Sequence, residues 1–129
     1  MTELNRVMHV DDDESIRMIT SLTLETVGNF EVLSCDSGFM AIENYAQFQP
    51  QVLLMDVMMP ELDGPGTLAE LKKQYDLDKT LVLFMTAKVQ KEELEHFKNI
   101  GGFDVIEKPF DPMALTDKIK TNWEAFNNP

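Results

Sequence analysis

The stretch LLMDVMMPELDG, residues 53–64, decides how the chain folds. With Val52 before it, Val52-Leu53-Leu54-Met55 is a continuous apolar run, the pattern of a strand buried on both faces. The run ends on a carboxylate, Asp56, with no basic residue beside it in sequence. Met58, Met59 and Pro60 follow, and then Asp63-Gly64, which break the strand. An acid at the tip of a buried strand needs partners, so they must come from other parts of the chain.

Working outward, similar short runs recur. Residues 6–10, Arg6-Val7-Met8-His9-Val10, are a short, mostly apolar run that stops at Asp11-Asp12-Asp13. Residues 30–34 and 80–86 read as two further strands, and 105–108 as a short last one. Between them lie helical patterns. Ile16, Ile19, Leu22, Leu24 and Val27 recur at roughly helical spacing before Gly28-Asn29. Asp36 or Ser37 can cap a helix carrying Met40, Ile42, Tyr45 and Phe48, which stops before Pro50. A third helix spans 64–75 with Leu68 and Leu71 on one side. A fourth spans 92–100 and closes at Gly101-Gly102. Asp111-Pro112 is a strong start for the fifth, an acid at the cap and proline at the first position. Leu115, Ile119 and Trp123 then share one face.

Five strand–helix pairs imply a parallel sheet covered on both faces, with right-handed crossovers. The expected fold is α/β and flavodoxin-like, a doubly wound (βα)5 sheet of order 2-1-3-4-5. In that order the strand ends carrying Asp11 and Asp12, Asp56, Thr86 and Lys108 converge on one edge, where open α/β sheets bind ligands. Three carboxylates brought together repel unless a cation is present. A hard divalent ion relieves this, and Mg²⁺ suits a site that also handles a phosphoryl group. Lys108 is a point charge fit for a phosphoryl oxygen, and Thr86 offers a hydroxyl.

The bulk composition narrows the function classes. The chain has 129 residues, 43% hydrophobic and 26% charged, which suits one domain with one core. Its formal charge of −12 argues against direct nucleic-acid binding, because phosphate contacts need Lys and Arg. No apolar run approaches the roughly 20 residues of a membrane-spanning helix. MTELNRVMHVDDD does not read as a signal peptide. Cys35 is the only cysteine, so no internal disulfide forms, and a reducing, cytoplasmic setting is expected. One cysteine with the distant His9 and His96 does not make a zinc site. His9, inside a central strand, is expected to be a satisfied core histidine. Asp13 reads as a helix cap, Glu61 and Asp63 as loop acids, and Glu92, Glu93 and Glu95 as a solvated helix face. The nine methionines read as core filler.

The set Asp11-Asp12, Asp56, Thr86-Ala87 and Lys108-Pro109-Phe110 resembles the receiver domain of two-component response regulators, over essentially the whole chain. What the resemblance implies is as follows. Residues 1–129 would be one receiver of the single-domain, chemotaxis type, with no output domain. Asp56 would be the phospho-acceptor, taking its phosphoryl group from a histidine kinase, hybrid kinase or phosphotransfer protein. Asp12 would ligate Mg²⁺ directly and Asp11 through water, completed by Asp56 and the Met58 carbonyl. Thr86, Lys108 and the N–H groups of Val57 and Ala87 would hold the phosphoryl oxygens. The Lys108–Pro109 bond would be cis. A downstream protein would dock on the face of the fourth helix, fifth strand and fifth helix. Met58 and Lys88 occupy the positions that tune phosphoryl lifetime. Receivers commonly carry an aromatic residue three before the lysine; here it is Val105, with Phe103 the nearest ring.

Three other classes compete. A haloacid-dehalogenase-like phosphatase wants an acid two residues after its nucleophile, and Met58 cannot transfer a proton. A flavodoxin wants a Ser/Thr/Gly-rich phosphate loop where Asp11-Asp12-Asp13-Glu14 stands. A receiver-fold interaction module that is never phosphorylated ranks second, on Val105 alone.

Overall fold

The protein was analysed as a computed structural model that describes residues 3–87 and 90–128. Its elements alternate: β1 (Arg6–Val10), α1 (Glu14–Thr26), β2 (Glu31–Cys35), α2 (Gly38–Phe48), β3 (Val52–Asp56), α3 (Gly64–Gln74), β4 (Leu81–Thr86), α4 (Lys91–Asn99), β5 (Asp104–Glu107) and α5 (Pro112–Asn127). The strands form a parallel sheet of order β2-β1-β3-β4-β5, the order expected from the sequence. The register sets Val10 beside Met55 and Asp56 beside Met85. The polar ends of β1, β3 and β4 therefore lie side by side.

Strand alternation sorts the core into two layers. Met8, Val10, Leu53, Met55, Val82 and Phe84 face α2, α3 and α4, and meet Tyr45, Leu68, Leu71 and Phe97. Val7, Val52, Leu54, Leu83, Met85 and Ile106 face the other way, onto Leu24 of α1 and Leu115, Ile119 and Trp123 of α5. Every residue of β3 and β4 is buried, as their unbroken apolar runs require. Each fully buried aliphatic side chain contributes roughly 2 kcal/mol.

The caps follow the sequence closely. Asp13, Ser37, Asp63 and Asp111 each accept a backbone N–H in the first turn of α1, α2, α3 and α5. Asp63 is thus a cap rather than a free loop acid. Gln90, before α4, makes no such bond, and α4 buries only Phe97.

Helix α1 departs from the expected face. Thr20, Thr23 and Leu24 are buried, while Ile19, Leu22 and Val27 are exposed. The reason lies in the spacing. Ile16, Ile19 and Leu22 recur every three residues, and each step of three falls short of a full turn, so the row drifts off the buried face. Among the methionines, Met8, Met55, Met59 and Met85 are core residues, but Met18, Met58 and Met113 are exposed rather than core filler.

Candidate functional site

The site is built from strand ends upward. The Asp11 N–H donates to the Cys35 carbonyl at 3.0 Å, so the β1–β2 pairing runs one residue past the strand. That continuation fixes Asp11, which is fully buried, and leaves Asp12 exposed beside it. Asp11 Oδ1 accepts the Asp13 N–H at 2.9 Å. Its backbone carbonyl accepts from Arg17 Nη1 at 2.7 Å, a cationic partner that sequence reading missed. Asp56, also buried, ends β3.

Lys108 arrives from the far side of the sheet. Its N–H donates to the Thr86 carbonyl at 2.8 Å, and its bond to Pro109 is cis, as expected. Lys108 Nζ then lies 2.8 Å from Asp11 Oδ2 and 3.3 Å from Asp56 Oδ2. One carboxylate oxygen from each of Asp11, Asp12 and Asp56 lies within 4.8 Å of the others. Asp56, without a basic neighbour in sequence, has its partners here, drawn from the ends of two other strands, β1 and β5.

Electrostatics leave the cluster only partly neutralised. Burial, and next the charge of Asp11, hold the Asp56 carboxyl above its ordinary value, although Lys108 and the Met58 N–H pull it down. Burial works to lower the Lys108 ammonium, but the hydrogen bonds and charges of Asp11 and Asp56 outweigh it and raise it. One lysine therefore does not neutralise two buried acids. Further positive charge belongs here, and three carboxylate donors at this spacing fit a hard divalent cation such as Mg²⁺.

The other expected site residues are placed as follows. Thr86 is buried at the end of β4 and Ala87 exposed just after it. The Val57 N–H is already committed, donating to the Met85 carbonyl at 2.9 Å, so it is not free for a phosphoryl oxygen. The N–H that reaches Asp56 is that of Met58. Lys88 lies outside the described residues. Val105 is half-buried and packs on the α4 side, whereas Phe103 packs in the α5 layer, its ring 5.5 Å from that of Phe126. Phe103 does not replace the aromatic that Val105 lacks. Gly64 is required by close approach: a Cβ there would sit 2.5 Å from the Asp56 carbonyl oxygen. The Asp63-Gly64 pair in the opening stretch was the signal for this folded-back loop.

His9 is buried, but it is not the satisfied core histidine expected. Neither ring nitrogen has a hydrogen-bond partner among the described residues. Burial lowers its pKa from 6.5 to about 4, against the opposing pull of Asp11. Cys35 is inert, since burial and then Asp36 push its thiol up to about 12.

Acids from β1 and β3 facing a lysine from the end of β5, on a parallel sheet of this order, point to one class of protein, and residues 7–120 match the response regulator receiver domain family. The chain belongs to that family. It is 36% identical over 111 residues to the regulatory protein AtoC of Escherichia coli (strain K12), covering 86% of this chain and 23% of AtoC. It is 34% identical over 128 residues to the probable transcriptional regulator ycf27 of Guillardia theta, covering 95% of this chain and 49% of that protein. The chain thus spans just under a quarter of one of these relatives and about half of the other. The chemotaxis response regulator CheY4 of Vibrio cholerae superposes with a TM-score of 0.85 at 28% identity, over 93% of this chain and 99% of CheY4. Receiver domains are signalling modules of two-component systems. They interact with histidine kinases or phosphotransfer proteins, and typically carry an acceptor aspartate and bind Mg²⁺ at an acidic pocket. No described helix is long and apolar enough to cross a membrane.

Proposed function

We propose that this receiver takes a phosphoryl group onto Asp56 from a phosphohistidine of a histidine kinase, hybrid kinase or phosphotransfer protein, and signals by altered protein binding. The observation that carries the reading is the pair of buried acids, Asp11 and Asp56, bridged at the sheet edge by the half-buried Lys108, whose Nζ lies 2.8 and 3.3 Å from them. A carboxylate oxygen of Asp56 attacks phosphorus in line; the O–P bond forms, the P–N bond breaks, and the imidazole leaves and takes up a proton from solvent. Lys108 offsets charge on the phosphoryl oxygens, the Thr86 hydroxyl and Ala87 N–H donate to them, and the Met58 N–H steadies the acceptor. Asp11, Asp12, Asp56 and the Met58 carbonyl would hold Mg²⁺, which supplies charge neutralisation.

The added charge then biases the β4–α4 region and β5. The face of α4, β5 and α5 is the proposed output surface. Support comes from α4, which rests on a single buried side chain and lacks a side-chain cap. One feature favours a second reading, an interaction module that works unphosphorylated: Val105 leaves no aromatic side chain to follow Thr86 inward. Intact mass after incubation with a small phosphodonor separates the two. Wild type should gain one phosphoryl group only with Mg²⁺, and Asp56→Asn none. Gain by Asp56→Asn would reject the site. No gain by wild type, even with a stable phosphoryl mimic, would favour the second reading.

A further inference from the structure

Four buried side-chain polar atoms have no hydrogen-bond partner among the described residues: Nδ1 and Nε2 of His9, and Oγ1 of Thr20 and of Thr116. They are not scattered. His9 alternates with Met8 and Val10, which face α2 and α3, so it shares with Val7 the face toward α1 and α5. Its lateral neighbours on the sheet are Ser34 and Leu54. Thr20 is buried on α1 and Thr116 on α5, the two helices that cover that face. The layer on the opposite face of the sheet contains none of the four.

The partners nearest at hand are already engaged or refused. Ser34 is bonded to Ser21 of α1 at 3.2 Å, not to His9. A helical threonine ordinarily returns its hydroxyl to the carbonyl four residues back. Thr26 and Thr67 do so in this chain, at 2.6 and 2.8 Å. Thr20 and Thr116 do not, although they are buried at 0% and 2% exposure. Imidazole needs a partner at both ring nitrogens in either protonation state. Leaving all four atoms unmade would cost a large share of a small domain's stability.

We propose that the layer between the sheet and α1/α5 is built to hold internal water, with His9, Thr20 and Thr116 as its ligands. One water or a short chain would join β1 to both covering helices. A water donates twice and accepts twice, which matches an imidazole facing two hydroxyls. The site would anchor β1 two residues before Asp11. The inference stands apart from phosphoryl chemistry and is tested without it.

The test is a high-resolution crystal structure of the full chain, with water-to-imidazole cross-relaxation measured by NMR in solution. The expected result is solvent density at hydrogen-bond distance from a His9 ring nitrogen and from at least one of the two threonine hydroxyls, with a cross-peak from water to the His9 ring. A dry ring, or one bonded directly to protein, would overturn the proposal. Thr20→Val and Thr116→Val give the second arm. Each should weaken the water signal at His9, and the double variant should abolish it. A signal unchanged in the double variant would reject the threonines as ligands. Should the variants fail to fold, the wild-type measurement decides alone.

Discussion

At the scale of single residues, His9 and Asp56 are buried titrating groups displaced in opposite senses for one reason: burial disfavours charge. His9 is held down to about 4 from 6.5. Its unfolded form takes up a proton near the ordinary value and its folded form does not, so unfolding binds a proton in between. The stability that neutral His9 contributes is present above about pH 6.5 and is lost as pH falls toward 4. In metal-free buffer, wild type should lose about 2 kcal/mol more than His9→Leu between pH 7 and pH 5, read by urea unfolding; equal losses would contradict the assignment. Asp56 is raised, so its native state binds a proton more readily than the unfolded chain does. Its contribution is present at low pH and lost as pH rises through the folded pKa. In metal-free buffer, stability should therefore fall as pH rises through that raised value, and Asp56→Asn should remove this dependence, read by urea unfolding; an unchanged dependence in the variant would contradict the assignment.

At the scale of elements, α1 is where sequence and structure part. Strand positions were legible because β3 and β4 are buried on both faces, so their whole runs are apolar. Caps were legible because Asp13, Asp111 and Pro112 act locally. Which face of α1 packs was not, because threonines fill the positions at true helical spacing and larger apolar residues sit just off it. A paired substitution makes this measurable. Leu22→Ala should cost under about 0.5 kcal/mol, as a surface change does. Leu24→Ala, from a fully buried position, should cost about 3 kcal/mol. Equal costs by urea denaturation would mean the helix is rotated from the face described. The polar site was legible as residue types at strand ends. That the Val57 N–H is taken by the Met85 carbonyl was not, since which amide a ladder uses depends on register.

At the scale of the whole molecule, a chain of net charge −12 concentrates three acids at one sheet edge. Any cation bound there in the folded state alone stabilises that state by mass action. Mg²⁺ at ten times its dissociation constant should add about 1.4 kcal/mol, a rise of roughly 3–6 °C in Tm for a domain of this size. The rise should be lost in Asp12→Ala; scanning calorimetry with and without chelator reads it, and a rise retained in the variant would place the ion elsewhere. The bond that completes the cluster, Lys108 to Asp11, joins residues 97 apart in sequence. The acid follows β1 and the lysine follows β5, the first and last strands in chain order. A chain whose last strand has come loose therefore carries Asp11 and Asp56 without the cation that offsets them. The charge balance of the edge thereby registers whether β5 has docked.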